Sequence, residues 1–379
     1  MRIGFDGKRA VQNYTGLGNY SRFVADILSR YYPHNQYILY APRPGANQDL
    51  SLLLERPQLS VAYPPNHFWQ RLKSLWRVWG IVRQLKKEKI DLFHGLSNEL
   101  PLPISKGGVK SIVTIHDLIF LRYPEYYHRI DRWIYTYKFR KACEHSNRII
   151  AVSQTTKQDI VHFFGIDEAK ISVIYQGCNP LFKQPVPVAL QEEVRQKYRL
   201  PARYILNVGS IESRKNLLLI VKALPYLAEE VEVVAIGRRT PYTATVEEYA
   251  RTHGLQGRLH IFHSVPLHEL PAFYRQAAVF VYPSFFEGFG IPIIEAIHCG
   301  VPVIAATGSC LEEAGGPDSL YVHPEDEKAL ANAIDNILSS PGLARKMIDN
   351  GRQYVQRFSD ETIAQQLVEI YQEVLRSSD

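Results

Sequence analysis

Two glutamates stand eight positions apart in a run whose other residues suit a bend followed by a helix start: Tyr282-Pro-Ser-Phe-Phe-Glu287-Gly288-Phe289-Gly290-Ile291-Pro292-Ile-Ile-Glu295-Ala. Gly288 and Gly290 let the backbone turn and approach a ligand, and Pro292 suits a first helical turn, where an N–H would be unpaired anyway. The free N–H groups and the dipole at such a start favour a phosphate. Glu287 in the loop and Glu295 one turn into the helix then offer acceptors for sugar hydroxyls. Taken singly, Glu295 would only complement the helix dipole and Glu287 would be a solvated loop residue. The run as a whole favours binding.

A second segment, Tyr204-Ile-Leu-Asn-Val-Gly209-Ser210-Ile-Glu-Ser-Arg214-Lys215-Asn216, places two cations after a strand-like stretch and a glycine. Such a pair is often just a solvated turn. Fixed cations are also what a departing nucleoside diphosphate needs as it gathers negative charge. Tyr14-Thr-Gly16-Leu-Gly18-Asn-Tyr-Ser21-Arg22 supplies a glycine-bearing turn whose N–H groups could reach a diphosphate or border an acceptor. It is not a dinucleotide fingerprint, because Ser21 occupies the third glycine position, and this argues against a nicotinamide oxidoreductase. Val113-Thr-Ile-His116-Asp117 puts an imidazole and a carboxylate at a strand end. His116 could bind a sugar hydroxyl or orient developing charge, or simply pack beneath a cleft; Asp117 could be a cap. No Asp-x-Asp motif follows a strand and the 13 histidines form no ligand cluster, so neither a metal nor a cofactor is expected.

These residues need strand ends to hold them. β-branched apolar runs recur at Arg2–Phe5, Tyr37–Tyr40, Leu59–Tyr63, Asp91–His94, Ser111–Ile115, Arg148–Val152 and Ile171–Tyr175. They continue at Tyr204–Val208, Glu232–Ile236, Leu259–Phe262, Val279–Tyr282, Pro302–Ala305 and Leu320–Val322. Helix-like stretches between most of them predict α/β lobes with parallel sheets. Pro180, Pro185 and Pro187 mark a linker, so the domains expected are 1–185 and 186–359. A helix with Ile363, Leu367, Ile370, Tyr371 and Val374 on one face, within 360–379, is free to cross back to the first lobe.

At 379 residues and 46% apolar composition the chain is long enough for two full cores. No apolar run approaches a spanning helix and the N-terminus does not read as a signal peptide, so a cytoplasmic protein is expected. Cys143, Cys178, Cys299 and Cys310 are too scattered for a disulfide framework. Residues 1–185 carry a net charge of +12 and the remainder −6. The segment Asn66–Lys89 mixes three tryptophans with seven basic residues, and Arg122–Lys141 repeats the texture. Both suit an anionic membrane surface, and both equally suit helices with buried tryptophans and wet lysines. Nucleic acid is not expected, since no recognition motif accompanies the charge.

The spacing of Glu287 and Glu295 resembles the Glu-x7-Glu motif of retaining family-4 glycosyltransferases with the GT-B fold. Other segments are similar to that family in the same order: Gly209 to Asn216, Ser153-Gln-Thr-Thr-Lys157, Val173 to Asn179 and His323-Pro-Glu-Asp326. One departure is Ser210, where many relatives carry arginine, so Arg214 would supply that cation. The resemblance implies two Rossmann-like lobes with parallel sheets facing a central cleft. It implies donor pyrophosphate on Arg214 and Lys215, sugar on Glu287 and the backbone at Gly288, Phe289, Gly290 and Ile291, and ribose on Glu295. Gly16, Gly18 and Gly209 would line the nucleotide sugar, with His116 at the reaction centre. The activity implied is retaining transfer of a hexose from a GDP- or UDP-hexose to a glycan or lipid-linked acceptor. Mannose from GDP-mannose, in surface polysaccharide synthesis, is the leading expectation. The alternatives are a UDP-glucose or other UDP-hexose enzyme and a two-lobe sugar-binding protein without catalysis.

Overall fold

The structure, a computed structural model, describes residues 1–45 and 48–377. The chain forms two compact units, Met1–Gly177 with Phe358–Asp379, and Cys178–Arg357. The first holds β1 (Arg2–Asp6), β2 (Gln36–Tyr40), β3 (Leu59–Ala62), β4 (Leu92–Gly95), β5 (Lys110–Ile115), β6 (Arg148–Ala151) and β7 (Ile171–Val173). The second holds β8 (Tyr204–Val208), β9 (Glu232–Ile236), β10 (Leu259–Phe262), β11 (Val279–Tyr282), β12 (Val303–Ala306) and β13 (Leu320–Val322).

Each sheet is parallel throughout, in the orders β3-β2-β1-β4-β5-β6-β7 and β10-β9-β8-β11-β12-β13. Chain order reverses between β1 and β4 and between β8 and β11. At such a switch neighbouring connections leave on opposite faces and open a crevice beyond the strands' carboxyl ends. Gly209 to Lys215 follow β8 and Glu287 follows β11, so the second unit puts its candidate residues at its switch.

The break between units falls at Gly177–Cys178, ahead of the boundary expected near residue 185. The prolines do not free that stretch, because Phe182 is fully buried in the second unit, edge-on to Tyr274 at 5.5 Å. Asn179 caps the short Pro180–Lys183 helix through Leu181 N–H. The Asp360–Arg376 helix lies in the first unit's core with Ile363, Leu367, Ile370, Tyr371 and Val374 all buried. Residues 378–379 of that expected segment lie outside the described residues. Because the returning segment carries acidic residues, the first unit has 26 basic and 19 acidic residues, net +7, and the second 18 and 19, net −1. The contrast in charge is thus weaker than a cut at 185 gives.

Candidate functional site

In the second unit β8 delivers the chain to Gly209, whose φ of +148° would strain any other residue and where a Cβ would press on Lys215 Cδ at 3.0 Å. A single 3-10 turn, Ser213–Lys215, then aims both cations back over the sheet. Asn216 ends the turn in the left-handed region, and its amide donates to the carbonyls of Pro283 (3.3 Å) and Pro324 (2.6 Å). Phe285 N–H donates to the Arg214 carbonyl at 2.9 Å. The loops after β8 and β11 are therefore one hydrogen-bonded body.

Within it, Lys215 Nζ lies 2.8 Å from Glu287 Oε1 and 2.6 Å from Tyr282 Oη. Arg214 Nη1 is 2.8 Å from the same carboxylate oxygen and also donates to the Phe286 carbonyl. Tyr282 donates to Glu287 at 3.2 Å. Burial works to raise the Glu287 carboxyl, but Lys215 and Arg214 outweigh it and hold it at about 2. Burial likewise works against the Lys215 ammonium, and Glu287 reverses this, so its pKa is raised. Burial, followed by the Glu287 charge, lifts the Tyr282 phenol to about 12. The cluster is fixed in its charged form, two cations on one anion, and can meet an incoming anion without reorganising.

Gly290, with φ +128°, caps the Ile291–His298 helix, which starts with Ile291 and Pro292 as the sequence suggests. Cys310 holds the loop from behind, its thiol donating to the carbonyls of Glu287 (2.9 Å) and Phe289 (3.2 Å). Glu295 does not join Glu287. Its Oε2 accepts from Tyr274 Oη at 3.0 Å, and burial pushes its carboxyl up to about 7 although the tyrosine's hydrogen bond works downward. One glutamate is thus a permanent carboxylate, and the other titrates near neutrality.

In the first unit His116 sits just after β5, almost wholly buried, edge-on to Tyr20 at 4.6 Å. Its Nε2 is 2.9 Å from the Leu96 carbonyl. A carbonyl only accepts, so Nε2 carries the proton and Nδ1 is left as the acceptor. Burial lowers its pKa to about 4, so the ring is neutral. Asp117 accepts from Ile119 N–H at 3.2 Å, the capping alternative.

The expected glycine turn differs from the structure. Gly16 and Gly18 lie in the first turn of the Gly16–Tyr31 helix, where the Thr15 carbonyl takes the N–H groups of Gly18 and Asn19. Gly18 is required for packing, since a Cβ there would stand 2.1 Å from the Asn13 carbonyl oxygen; at Gly16 nothing lies within 4 Å. Arg22 holds the turn by donating to the carbonyls of Ala10 and Asn13.

Sequence reasoning assigned no role to Asn216, Tyr274, Tyr282 or Cys310. Only Asn216, a residue tolerant of the left-handed region directly after the basic pair, carried a local signal. It also passed over a buried ionic network at the first unit's switch, where Arg77 bridges Asp6 (2.5 Å) and Glu99 (2.6 Å).

Comparison with known proteins adds an independent line. Residues 21–180 match the profile described as Glycosyltransferase Family 4, and residues 191–354 that of Glycosyl transferases group 1. O-antigen chain mannosyltransferase B of Escherichia coli is 28% identical over 328 residues, 85% of this chain and 82% of that protein. O-antigen chain mannosyltransferase RfbU of Salmonella typhimurium is 28% identical over 253 residues, 67% of each. Among solved structures, Anabaena Alr3699/HepE in complex with UDP and glucose superposes with a TM-score of 0.77 at 19% identity, covering 98% of this chain and all of that one. WaaG, a glycosyltransferase involved in lipopolysaccharide biosynthesis, gives 0.69 at 15% identity, with 98% and 99% covered. At these identities the structural likeness speaks for the fold.

Proposed function

The chain belongs to the family-4 glycosyltransferases of the GT-B fold, and from that membership we propose that it transfers mannose, with retention, from GDP-mannose to a glycan or lipid-linked acceptor. The setting proposed is surface polysaccharide synthesis on the cytoplasmic side of a membrane that the first unit touches. The similarity to two O-antigen mannosyltransferases supports the sugar and the setting. A UDP-hexose donor is the second reading, in keeping with the UDP and glucose bound by the structurally similar Alr3699/HepE.

The observation that carries the reading is the Glu287–Lys215–Arg214 cluster at the switch of the second sheet. In the proposed reaction the diphosphate replaces Glu287 as the partner of Lys215 and Arg214. Glu287, released from them, accepts a hydroxyl of the sugar held against the Gly288–Ile291 backbone. The two cations stabilise charge as the bond from the anomeric carbon to the phosphate oxygen breaks. The acceptor oxygen bonds to the same carbon on the same face, and its proton passes to the departing phosphate. Glu295 takes the ribose hydroxyls and His116 Nδ1 accepts from a sugar hydroxyl. Because side-chain cations supply the countercharge, a chelator is expected to leave turnover intact.

A panel of GDP- and UDP-hexoses, assayed for nucleoside diphosphate release with and without a lipid-linked acceptor, tests the reading. GDP-mannose is expected to turn over fastest. Turnover only with a UDP-hexose would select the second reading, and no turnover with any donor would overturn both.

A further inference from the structure

Two positions apart on β11, Phe280 and Tyr282 put the same ring on one face of the second sheet, both buried and stacked on each other at 5.9 Å and 18°. They differ by one oxygen. A buried phenol has to find partners for that oxygen, and those of Tyr282 are ions: Lys215 Nζ at 2.6 Å and Glu287 Oε1 at 3.2 Å. Packing needs only the ring, as Phe280 shows, so the hydroxyl serves the charged cluster. Phe280 in turn meets the ring of Tyr274 at 5.3 Å, and the phenol therefore stands at the end of a packed aromatic row.

The direction of each hydrogen bond follows from the groups. An ammonium only donates, so the phenol oxygen accepts from Lys215 and its single proton goes to the Glu287 carboxylate. Lys215 is thus held by an anion, Glu287 at 2.8 Å, and by a neutral oxygen, Tyr282. Arg214 has an equivalent neutral partner in the Phe286 carbonyl. The phenol, lifted to about 12, stays a neutral hydroxyl over the ordinary pH range. Its ring lies 5.0 Å from Nζ, and the lysine stem runs along Gly209, where a Cβ would stand 3.0 Å from Cδ and 3.3 Å from Cε.

Resting on the assignment of Lys215 to the donor diphosphate, we propose that Tyr282 is a positioning residue: its hydroxyl holds the Lys215 ammonium on the leaving diphosphate once Glu287 has turned to the sugar. A lysine has a flexible stem and a compact charge, and with the carboxylate gone nothing in the ammonium itself sets its direction. A second carboxylate in place of Tyr282 would fix the direction and cancel the charge. A neutral oxygen on a rigid ring fixes it and leaves the charge for the phosphate. The diphosphate gathers charge as the bond to the sugar breaks, so a well-aimed ammonium counts more for the leaving group than for the intact donor.

The test is a double-mutant cycle on the full chain, Tyr282→Phe and Lys215→Ala singly and together, read by calorimetric binding of GDP, UDP and inorganic pyrophosphate. Tyr282→Phe keeps the ring and should weaken pyrophosphate, and whichever nucleoside diphosphate the native chain binds, about tenfold. In the Lys215→Ala background the same change should matter by less than about twofold, because no ammonium is left to aim. With the donor that the native chain uses, kcat should fall about tenfold in Tyr282→Phe while KM moves less than about threefold. In the 15N spectrum with pyrophosphate bound, the ammonium signal that Lys215→Ala removes should be sharp in the native chain and broadened in Tyr282→Phe. Native affinity in Tyr282→Phe, an equal loss with and without Lys215, or an unchanged ammonium signal would each overturn the proposal. No turnover with any GDP- or UDP-hexose would sink the reading of the reaction alone, since pyrophosphate still reads the cycle. A native chain that binds neither nucleoside diphosphate nor pyrophosphate would overturn both.

Discussion

Glu287 and Glu295 are the same residue type eight positions apart, and their surroundings separate them by several pKa units, from about 2 to about 7. For Glu287 the consequence is electrostatic. Replacing it with alanine leaves Lys215 and Arg214 beside each other without their anion, while Lys215→Ala removes the cation that meets the leaving diphosphate. Each variant is expected to lower transfer roughly 100- to 1,000-fold, the range found when one preorganised charge is lost. Lys215→Ala should also weaken binding of nucleoside diphosphate measured by calorimetry; unchanged transfer in both variants would remove the site.

Glu295 leads to a pH dependence. Its folded pKa lies above the ordinary carboxylate value, so its charge costs the fold stability as pH rises between about 4.5 and about 7. Glu295→Gln should therefore melt a few degrees higher than the native protein at about pH 8 and at the same temperature near pH 4.5. If the carboxylate receives ribose hydroxyls, the affinity for nucleoside diphosphate should fall in the native chain as pH drops through about 7. In Tyr274→Phe, which removes a hydrogen bond that lowers the Glu295 pKa, that midpoint should move to higher pH. A pH-independent affinity would dissociate Glu295 from the nucleotide. The glutamates and the basic pair were legible in sequence because each lies in one run with its own glycine. Tyr274 and Cys310 were not, because each reaches the site from another helix or loop more than twenty positions away along the chain.

At the scale of elements, the strands read clearly because a parallel strand covered on both faces is a nearly continuous apolar run, which turns and helices are not. All thirteen expected runs became strands, with ends shifted by a residue or two. Helical phase was harder. The spacing of tryptophans in 66–89 does not say that Trp76 goes inward and Trp79 outward, because the Trp76–Gly80 turn is a π-helix and changes the register there. The Gly16–Gly18 segment misled for a related reason: two glycines suggest a loop, yet an extended Thr15 caps a helix that tolerates both. This gives a paired prediction. Gly18→Ala should destabilise by about 1–3 kcal/mol, because the new methyl meets the Asn13 carbonyl. Gly16→Ala meets nothing and should stabilise by about 0.5 kcal/mol through the unfolded state. Urea unfolding checks both. If Gly16→Ala also raises the KM for donor while stability holds, the glycine serves backbone approach to the diphosphate.

For the whole molecule, the decisive piece is the last helix, which leaves the second unit at Arg357 and completes the first. It is tied by Asp360 to Arg30 at 2.9 Å and by Glu373 to Arg148 at 3.1 Å. Inside, Tyr371 Oη lies 2.7 Å from His94 Nδ1, His94 Nε2 lies 2.8 Å from Thr114, and Thr114 meets Tyr20, whose ring stands against His116. Burial drives the pKa of His94 down to about 3, so this chain stays neutral and binds the helix to β4 and β5 without a charge. Each large apolar side chain the helix buries is worth about 1.5–3 kcal/mol, so five of them together approach the 5–15 kcal/mol by which a domain is usually stable. A chain ending at Phe358 should therefore lose hydrogen-exchange protection in β1, β4 and β5 while β8, β9 and β11 keep theirs. Tyr371→Phe is the milder version: it leaves His94 Nδ1 without its partner, costs about 1–3 kcal/mol, and lowers the first unit's unfolding midpoint alone. Protected β1, β4 and β5 amides in the shortened chain would mean that the first unit folds without its returning helix.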